Sequence, residues 1–295
     1  MNKMEEQLCW IITPEQLINT PSRRGNIDQQ TEERYRREGV RIILEIGRAL
    51  KLNPNPTLAT ACVFFHRFYM VNGMDEFSIY VTALGCLFLA GKVEETPKKC
   101  KDIAAIAKDT LPDLYEKRNN LMEEIFATER VLLPSLRFDL HVEHPYTFLL
   151  RYIKIFKNMN QETTKAILQN AWTFANDSLS TTLCLLWEPE VIAISLLYMA
   201  LQMSKLTLKL DWEDRLPGDQ WWDQFVSNLS TDMMEEVCHK ILDYYAESTK
   251  EKENAAAQSS GGQQPTPPQH PTPPTGDGSR PMLPFQSRVH MNGPF

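Results

Sequence analysis

The chain has 295 residues, long enough for two domains, with 42% apolar and 23% charged residues and a formal charge of −7. From Glu251 to Phe295 there are nine of the 19 prolines and three charges of each sign, so the whole acidic excess lies on residues 1–250. An acidic body excludes wrapping of nucleic acid as its main task, because neutralising phosphates needs a basic surface.

Three further classes fall on pattern. The uncharged, strongly apolar windows Phe77–Gly91 and Val191–Ser204 span 15 and 14 residues, short of a bilayer crossing. The first ten residues, MNKMEEQLCW, hold two acids and no apolar run of signal-peptide length. Six scattered cysteines (9, 62, 86, 100, 184 and 238) form no C-x-x-C pair, so the expectation is reduced thiols in an intracellular protein with no zinc site.

Taken in chain order, the body reads as helix after helix. Asp28 or Thr31 caps a first helix with Glu32 and Glu33 in its first turn and Tyr35, Ile42, Ile43, Ile46 and Leu50 near a 3.6 period, ending at Asn53-Pro54. Thr57 opens a second, apolar on nearly every face and stopping at Asn72-Gly73. A third, from Ser78 to about Glu95, is similar but rich in small residues, which permit close helix approach. A short fourth spans about Lys99–Lys108. The fifth, from about Tyr115 to Leu133, aligns Leu121, Ile125, Thr128 and Leu132 and meets Pro134. LRFDLHVEHPY then leaves the helical pattern as a linker.

After Pro145 the plan repeats with Tyr146–Phe156, Gln161–Leu183, Glu188–Ser204, a short Trp221–Asn228 and Thr231–Tyr245. The expectation is an all-α chain of two tandem five-helix folds: an N-terminal segment (1–27), a first fold (28–141), a second (142–248) and a disordered Pro/Gln-rich tail (249–295). The tail cannot bury enough surface to offset its ordering entropy. Its Thr266-Pro267 and Thr272-Pro273 steps suit phosphorylation by a proline-directed kinase, although a solvated spacer is the favoured reading. Overlapping P-x-x-P spacings there form a common, weak docking signal.

Catalytic constellations are missing from the sequence. The six histidines show no metal-ligand spacing on one helix; His141 and His144 sit in the linker, and His66 reads as a hydrogen-bonded core histidine. There is no G-x-S-x-G, P-loop or G-x-G-x-x-G motif, so neither an enzyme nor a cofactor is expected. One polar cluster stands out. Lys92-Val93-Glu94-Glu95 ends the most apolar helix, with Lys92 one turn beyond Leu89, and Glu129 lies among Ile125, Val131 and Leu132. The plain reading is a solvated helix end. On neighbouring helices, however, a lysine and a glutamate pair, or else satisfy main-chain groups at the end of a partner's helix. Arg23-Arg24, Arg34-Arg36-Arg37 and Lys98-Lys99-Lys101 read as a solvated face or, alternatively, as a local basic patch.

The run FLAGKVEETPKKCKDI, with HRFYM before it and ERVLLPSLRFDLHVEHPYTFLL after it, resembles the first cyclin box of the transcriptional cyclins, closest to the cyclin K branch. AWTFANDSLSTTLCLLWEPEVIA and QWWDQFV resemble the second half, and the likeness covers residues 8–247. It implies two cyclin folds and an activating subunit of a cyclin-dependent kinase. In that family the lysine of K-x-E-E and a glutamate of the fifth helix bind main-chain groups at the kinase C-helix. These positions are Lys92 and Glu129, with Leu89, Val93, Leu133, Phe138 and Leu140 as apolar companions. The implied partner is a transcriptional kinase that acts on the RNA polymerase II C-terminal domain in the nucleus, with no membrane or nucleic acid bound directly. The alternative is a cyclin-fold nucleic-acid-binding general transcription factor, which a zinc ribbon and basic faces would mark.

Departures from the cell-cycle members carry expectations too. Where those cyclins have M-R-A-I-L, this chain has Tyr35-Arg36-Arg37-Glu38-Gly39, too charged for an apolar groove, so no docking of Arg-x-Leu peptides is expected. Their aspartate before R-F is His66 here, which argues against a salt bridge from that position to Arg36. Trp10 is expected to anchor an N-terminal helix to the bundle, and Trp221-Trp222 to pack a short helix of the second fold.

Overall fold

The computed structural model of the protein describes residues 10–156, 159–204 and 220–260, and among these every regular element is helical. Thr266, Thr272 and the rest of the Pro-rich tail lie outside the described residues. The chain divides into a large unit, Met1–Glu251, and a small one, Lys252–Phe295; the folds described next belong to the large unit, apart from the last turns of α13.

Two short helices come first, α1 (Pro14–Ile18) and α2 (Pro21–Arg24). Trp10 lies just ahead of both, on the extended approach to the N-terminal helix α1. The reason is local: Pro14 pushes Thr13 into an extended conformation, where its hydroxyl caps α1, and the helix cannot run back through it. Trp10 still anchors the segment, with the Arg67 and Arg137 guanidinium groups 5.2 and 5.8 Å from its ring. The Ile12 N–H donates to the Leu185 carbonyl at 2.8 Å.

The first fold comprises α3 (Gln29–Ala49), α4 (Ala59–Val71), α5 (Ile79–Val93), α6 (Cys100–Thr110) and α8 (Leu121–Ser135), with a single turn α7 (Pro112–Tyr115) before the last. Of the two candidate caps, Asp28 is the one used, accepting from the Thr31 N–H at 2.9 Å. α5 is enclosed by α3, α4 and α8, as its nearly uniform apolarity requires. Small residues set how near its neighbours come. A Cβ on Gly85 would lie 2.6 Å from Thr128 Cγ2, so α8 rests directly on the α5 backbone, and a Cβ on Gly39 would strike the Phe65 ring. The fifth helix starts later than its stripe suggested. Tyr115 is buried with its hydroxyl donating to the Tyr80 carbonyl, and Asn119-Asn120 interrupt the helix before Leu121. Pro134 falls in the last turn of α8, where it costs one backbone bond and the helix continues to Ser135.

The second fold comprises α9 (Pro145–Tyr152), α10 (Gln161–Ser178), the single turn α11 (Leu183–Leu186), α12 (Pro189–Met203), a short turn at Trp221–Gln224 and α13 (Thr231–Ser260). α12 takes the central place, packed on α9 and α10. α10 stops short of Leu183 because hydroxyls compete for its last carbonyls: Ser178 Oγ donates to Ala175 O and Thr181 Oγ1 to Ser178 O, both at 2.7 Å. That ending leaves the Leu179 carbonyl free to accept from His66 Nε2 of α4 at 2.9 Å, a buried tie between the two folds. α13 is described through Ser260, past residue 248, in keeping with the helix-forming Glu, Lys, Ala and Gln of that stretch. Both tryptophans at 221 and 222 are buried.

Arg36 does not belong to the basic patch, although the exposed Arg34 on α3 remains available to it. Arg36 is buried and paired with Glu32 at 2.7 Å, and it donates to the carbonyls of His66 and Tyr69; Arg23 also pairs with Glu32. Arg36 therefore meets position 66 through the backbone and finds its carboxylate on its own helix, four residues back. Arg37 reaches across to Glu247 on α13.

The α5–α8 contact gives a direct test. Gly85→Val should lower unfolding free energy by roughly 1–3 kcal/mol through overpacking. Adding Thr128→Ser, which deletes the obstructing methyl and keeps the hydroxyl, should restore part of the loss. An unchanged denaturation midpoint in Gly85→Val would contradict the close approach.

Candidate functional site

The KVEET segment at the end of α5 splits into an outward and an inward half. Glu95 takes a left-handed conformation (φ 53°), and the Thr96 N–H returns to the Gly91 carbonyl at 2.8 Å, closing the helix in a Schellman turn. This turn keeps Lys92 on the outer face. Its Nζ donates to both carboxylate oxygens of Glu129 on α8, at 2.7 and 2.9 Å, and lies 4.0 Å from the centre of the Phe88 ring. Lys92 is 45% exposed and Glu129 only 13%, so the carboxylate sits back between the helices and the ammonium covers it.

Glu94 faces the other way. Its carboxylate accepts from Thr60 Oγ1 at 2.7 Å, and Thr60 Oγ1 lies 2.7 Å from His144 Nε2. A hydroxyl has one proton to give, and Thr60 gives it to Glu94; His144 must then donate through Nε2–H. A relay thus runs from the linker through α4 to the KVEET turn, beside a Thr57–Thr96 contact of 2.9 Å.

Burial, then electrostatic repulsion from Arg67 and from nearby His141, lowers the His144 pKa to about 4; burial, then Arg36, lowers that of His66 to about 3. Both rings are neutral at pH 7.

The apolar companions divide. Val93, Leu133 and Leu140 are half-buried and present one edge outward, and Phe138 is 67% exposed. Leu89 is corrected: at 3% exposure it lies within the core beneath Lys92 and offers no contact surface. The display of Phe138 has a backbone cause. Arg137 and Phe138 are both left-handed (φ 55° and 59°), and the Phe138 N–H returns to the Leu133 carbonyl at 3.0 Å. Two successive non-glycine residues in that region are strained, and such strain concentrates at functional sites.

Sequence reasoning missed Met122 and Phe126, the latter lying over the buried Phe88. Phe126 is 45% exposed and packs edge-on against Phe88 with centroids 5.6 Å apart; with Glu123, Glu129 and Arg130 it lines a shallow hollow. The signal was in the spacing of α8. Leu121, Ile125, Thr128 and Leu132 form the stripe that packs inward, and Met122, Phe126, Glu129 and Leu133 form the next stripe, one residue on. A second apolar stripe that holds one carboxylate and is not buried describes a contact face better than a core. Among the described residues no group of three or more His, Cys, Asp or Glu is placed to hold a metal ion.

Comparison with known proteins follows this geometry. The family model of the cyclin N-terminal domain matches residues 8–141 and that of the cyclin C-terminal domain residues 144–264. The chain belongs to the cyclin family. It is 46% identical to human Cyclin-K over 245 residues, which cover 82% of this chain and 42% of that protein. With the zebrafish (Danio rerio) Cyclin-K it shares 46% identity over 241 residues, covering 81% and 56%. The chain therefore spans about half the length of these curated relatives. A chain in the crystal structure of the yeast RNA Pol II CTD kinase CTDK-1 complex superposes with a TM-score of 0.63 at 20% identity, covering 82% of this chain and 74% of that one, a likeness of fold.

The depressed histidines set an acid limit on this cyclin. A buried ring that stays neutral while the unfolded chain takes up a proton contributes stability above pH 6.5. That contribution is lost as pH falls toward about 4 for His144 and about 3 for His66, at about 1 kcal/mol per pH unit each. Denaturant midpoints should therefore fall steadily from pH 7 to pH 5, and His144→Gln, which keeps a donor to Thr60 without titrating, should flatten the slope. A slope unchanged in that variant would contradict the neutral, Nε2-protonated ring.

Proposed function

We propose that this cyclin is the activating regulatory subunit of a cyclin-dependent kinase of the transcriptional class. In this reading it is not itself a catalyst, and ATP and Mg²⁺ belong to the kinase. The observation that carries the proposal is the Lys92–Glu129 pair, set at an open surface among Phe126, Val93 and Leu133 and above the buried ring of Phe88. A half-exposed ion pair rimmed by apolar side chains offers a donor and an acceptor to main-chain groups at the end of a partner's helix, while the rim excludes water around them.

The partner helix is the kinase C-helix, at Lys92 and Glu129, with Val93, Leu133, Phe138 and Leu140 around them. A kinase is active when the glutamate on that helix pairs with the lysine that holds the ATP phosphates. A cyclin that binds the inward position of the helix more tightly than the outward one shifts the kinase toward its active form, and it does so only to the extent of that difference. The substrate of the complex in this proposal is the C-terminal domain of RNA polymerase II, in the nucleus, in support of transcription elongation. The relatives named Cyclin-K and the likeness to a chain of a CTD kinase complex support this choice.

Lys92→Glu and Glu129→Ala test the assignment. Loss of a hydrogen-bonded charge at an interface costs roughly 2–5 kcal/mol, so each variant should lose at least tenfold in kinase affinity while keeping the thermal midpoint of the parent within a few degrees. Kinase identified by pull-down with the parent chain serves as the binding partner. Undiminished co-purification and kinase activity in both variants would rule out this surface.

A further inference from the structure

A second candidate surface lies where the two cyclin folds meet, away from the Lys92–Glu129 pair. A cleft of about 420 Å³ opens there between the segment ahead of α1, α4, the 141–145 linker and the start of α12. Clefts at junctions between domains, of this volume and with apolar walls, are the usual form of a binding site. Val63, Leu179, Trp187 and Ile192 supply apolar walls, and Trp10 closes one side.

The charge at its mouth is uneven. Glu143, Glu188 and Glu190 all line the cleft, and none of the three is in an ion pair among the described residues. On the cationic side stand Arg67, His141 and His144, with His141 exposed on the linker. Arg67, at 12% exposure, is held at the back of the cleft beside the Trp10 ring and Asp139, and His144 is neutral and engaged with Thr60. The helix dipole accounts for Glu188 and Glu190, the cap and first turn of α12. It does not account for Glu143, which stands outside any helix on the opposite, linker side of the same opening.

From this charge complementarity we propose that the cleft is a docking site for an extended segment of a protein partner. The segment carries one large apolar side chain flanked by arginine or lysine. The apolar residue fills the space beside Trp187 and Val63, and the flanking cations pair with Glu143 on one side and Glu188 and Glu190 on the other. Apolar anchoring with a charged rim gives such a contact its strength at the centre and its specificity at the edge. The site is independent of the kinase-binding proposal, since it shares no residue with that surface.

The test uses the full chain and a phage-displayed library of random dodecapeptides. Selected sequences should pair a Leu, Phe or Trp with two or more Arg or Lys within four positions. The best peptide, synthesised with a fluorescent label, should bind at least tenfold more weakly to Glu143→Gln/Glu188→Gln than to the parent. Binding should also weaken as salt rises from about 50 mM to about 500 mM, where exposed charge pairs are screened. Lys92→Glu should bind the peptide as the parent does, which separates this cleft from the kinase surface. Both variants should keep the parent's circular dichroism spectrum and thermal midpoint. Selection of sequences without basic residues, equal affinity for the double variant, loss of binding in Lys92→Glu alone, or recovery of no specific sequence would each overturn the proposal.

Discussion

The close approach of α5 to α8 is the constraint on which the outer surface of this cyclin depends. Gly85 removes the side chain that would hold the two helices apart, and the Thr128 methyl occupies the space. Lys92 lies seven residues beyond Gly85, two turns along the same face of α5, and Glu129 lies one residue beyond Thr128. The reach of a lysine side chain then suffices to place its ammonium against the carboxylate at 2.7 Å. With a bulkier residue at 85 the helices would separate, and the same two side chains would be two solvated charges with no common orientation.

A second constraint ties this surface to the rest of the molecule. Glu94, two residues after Lys92, ends a hydrogen-bonded chain that passes through Thr60 to His144 in the linker. His66, on the same helix as Thr60, reaches the carbonyl of Leu179 in the second fold. The α5 end, α4 and the junction between the folds are therefore joined by polar contacts that are buried and mostly satisfied. Buried polar contacts of this kind add little net stability per bond, but leaving one unmade costs more than the bond contributes. They specify one relative placement of the parts, and the face of α5 and α8 that carries Lys92 and Glu129 inherits that placement.

Much of this was legible in the sequence, for identifiable reasons. The helices of both folds follow from apolar periodicity, and Lys92 and Glu129 were found because charge at the edge of the most apolar helices needs a purpose. What failed was exposure. Leu89 stands one turn from Lys92 in sequence, but α5 is enclosed on nearly every side, so that turn leads inward. Phe126 and Met122 were overlooked because an apolar residue on a helix is assumed to be core until a neighbouring stripe is seen to fill that role. Helix ends failed where a side chain outcompeted the pattern: Ser178 and Thr181 stopped α10. Arg36 was grouped with surface arginines by spacing alone, whereas its partner Glu32 was present one turn earlier on the same helix.

The exposure of the Lys92–Glu129 pair bears on what it is for. An ion pair with one member nearly half exposed contributes about 0–1 kcal/mol to folding, because water competes for both groups and the lysine loses side-chain freedom. A residue pair maintained only for stability would gain more from replacement by well-packed apolar groups. Half exposure is the arrangement that suits exchange. Glu129, set back between the helices, keeps its position when Lys92 moves, and the Phe88 ring offers the ammonium a resting place at 4.0 Å. Opening the pair toward a partner costs little, and the desolvation that accompanies docking then strengthens each new hydrogen bond. The two charges thus contribute little to the isolated fold, and the proposed kinase interface is where the balance of exposure and apolar rim gives them a use.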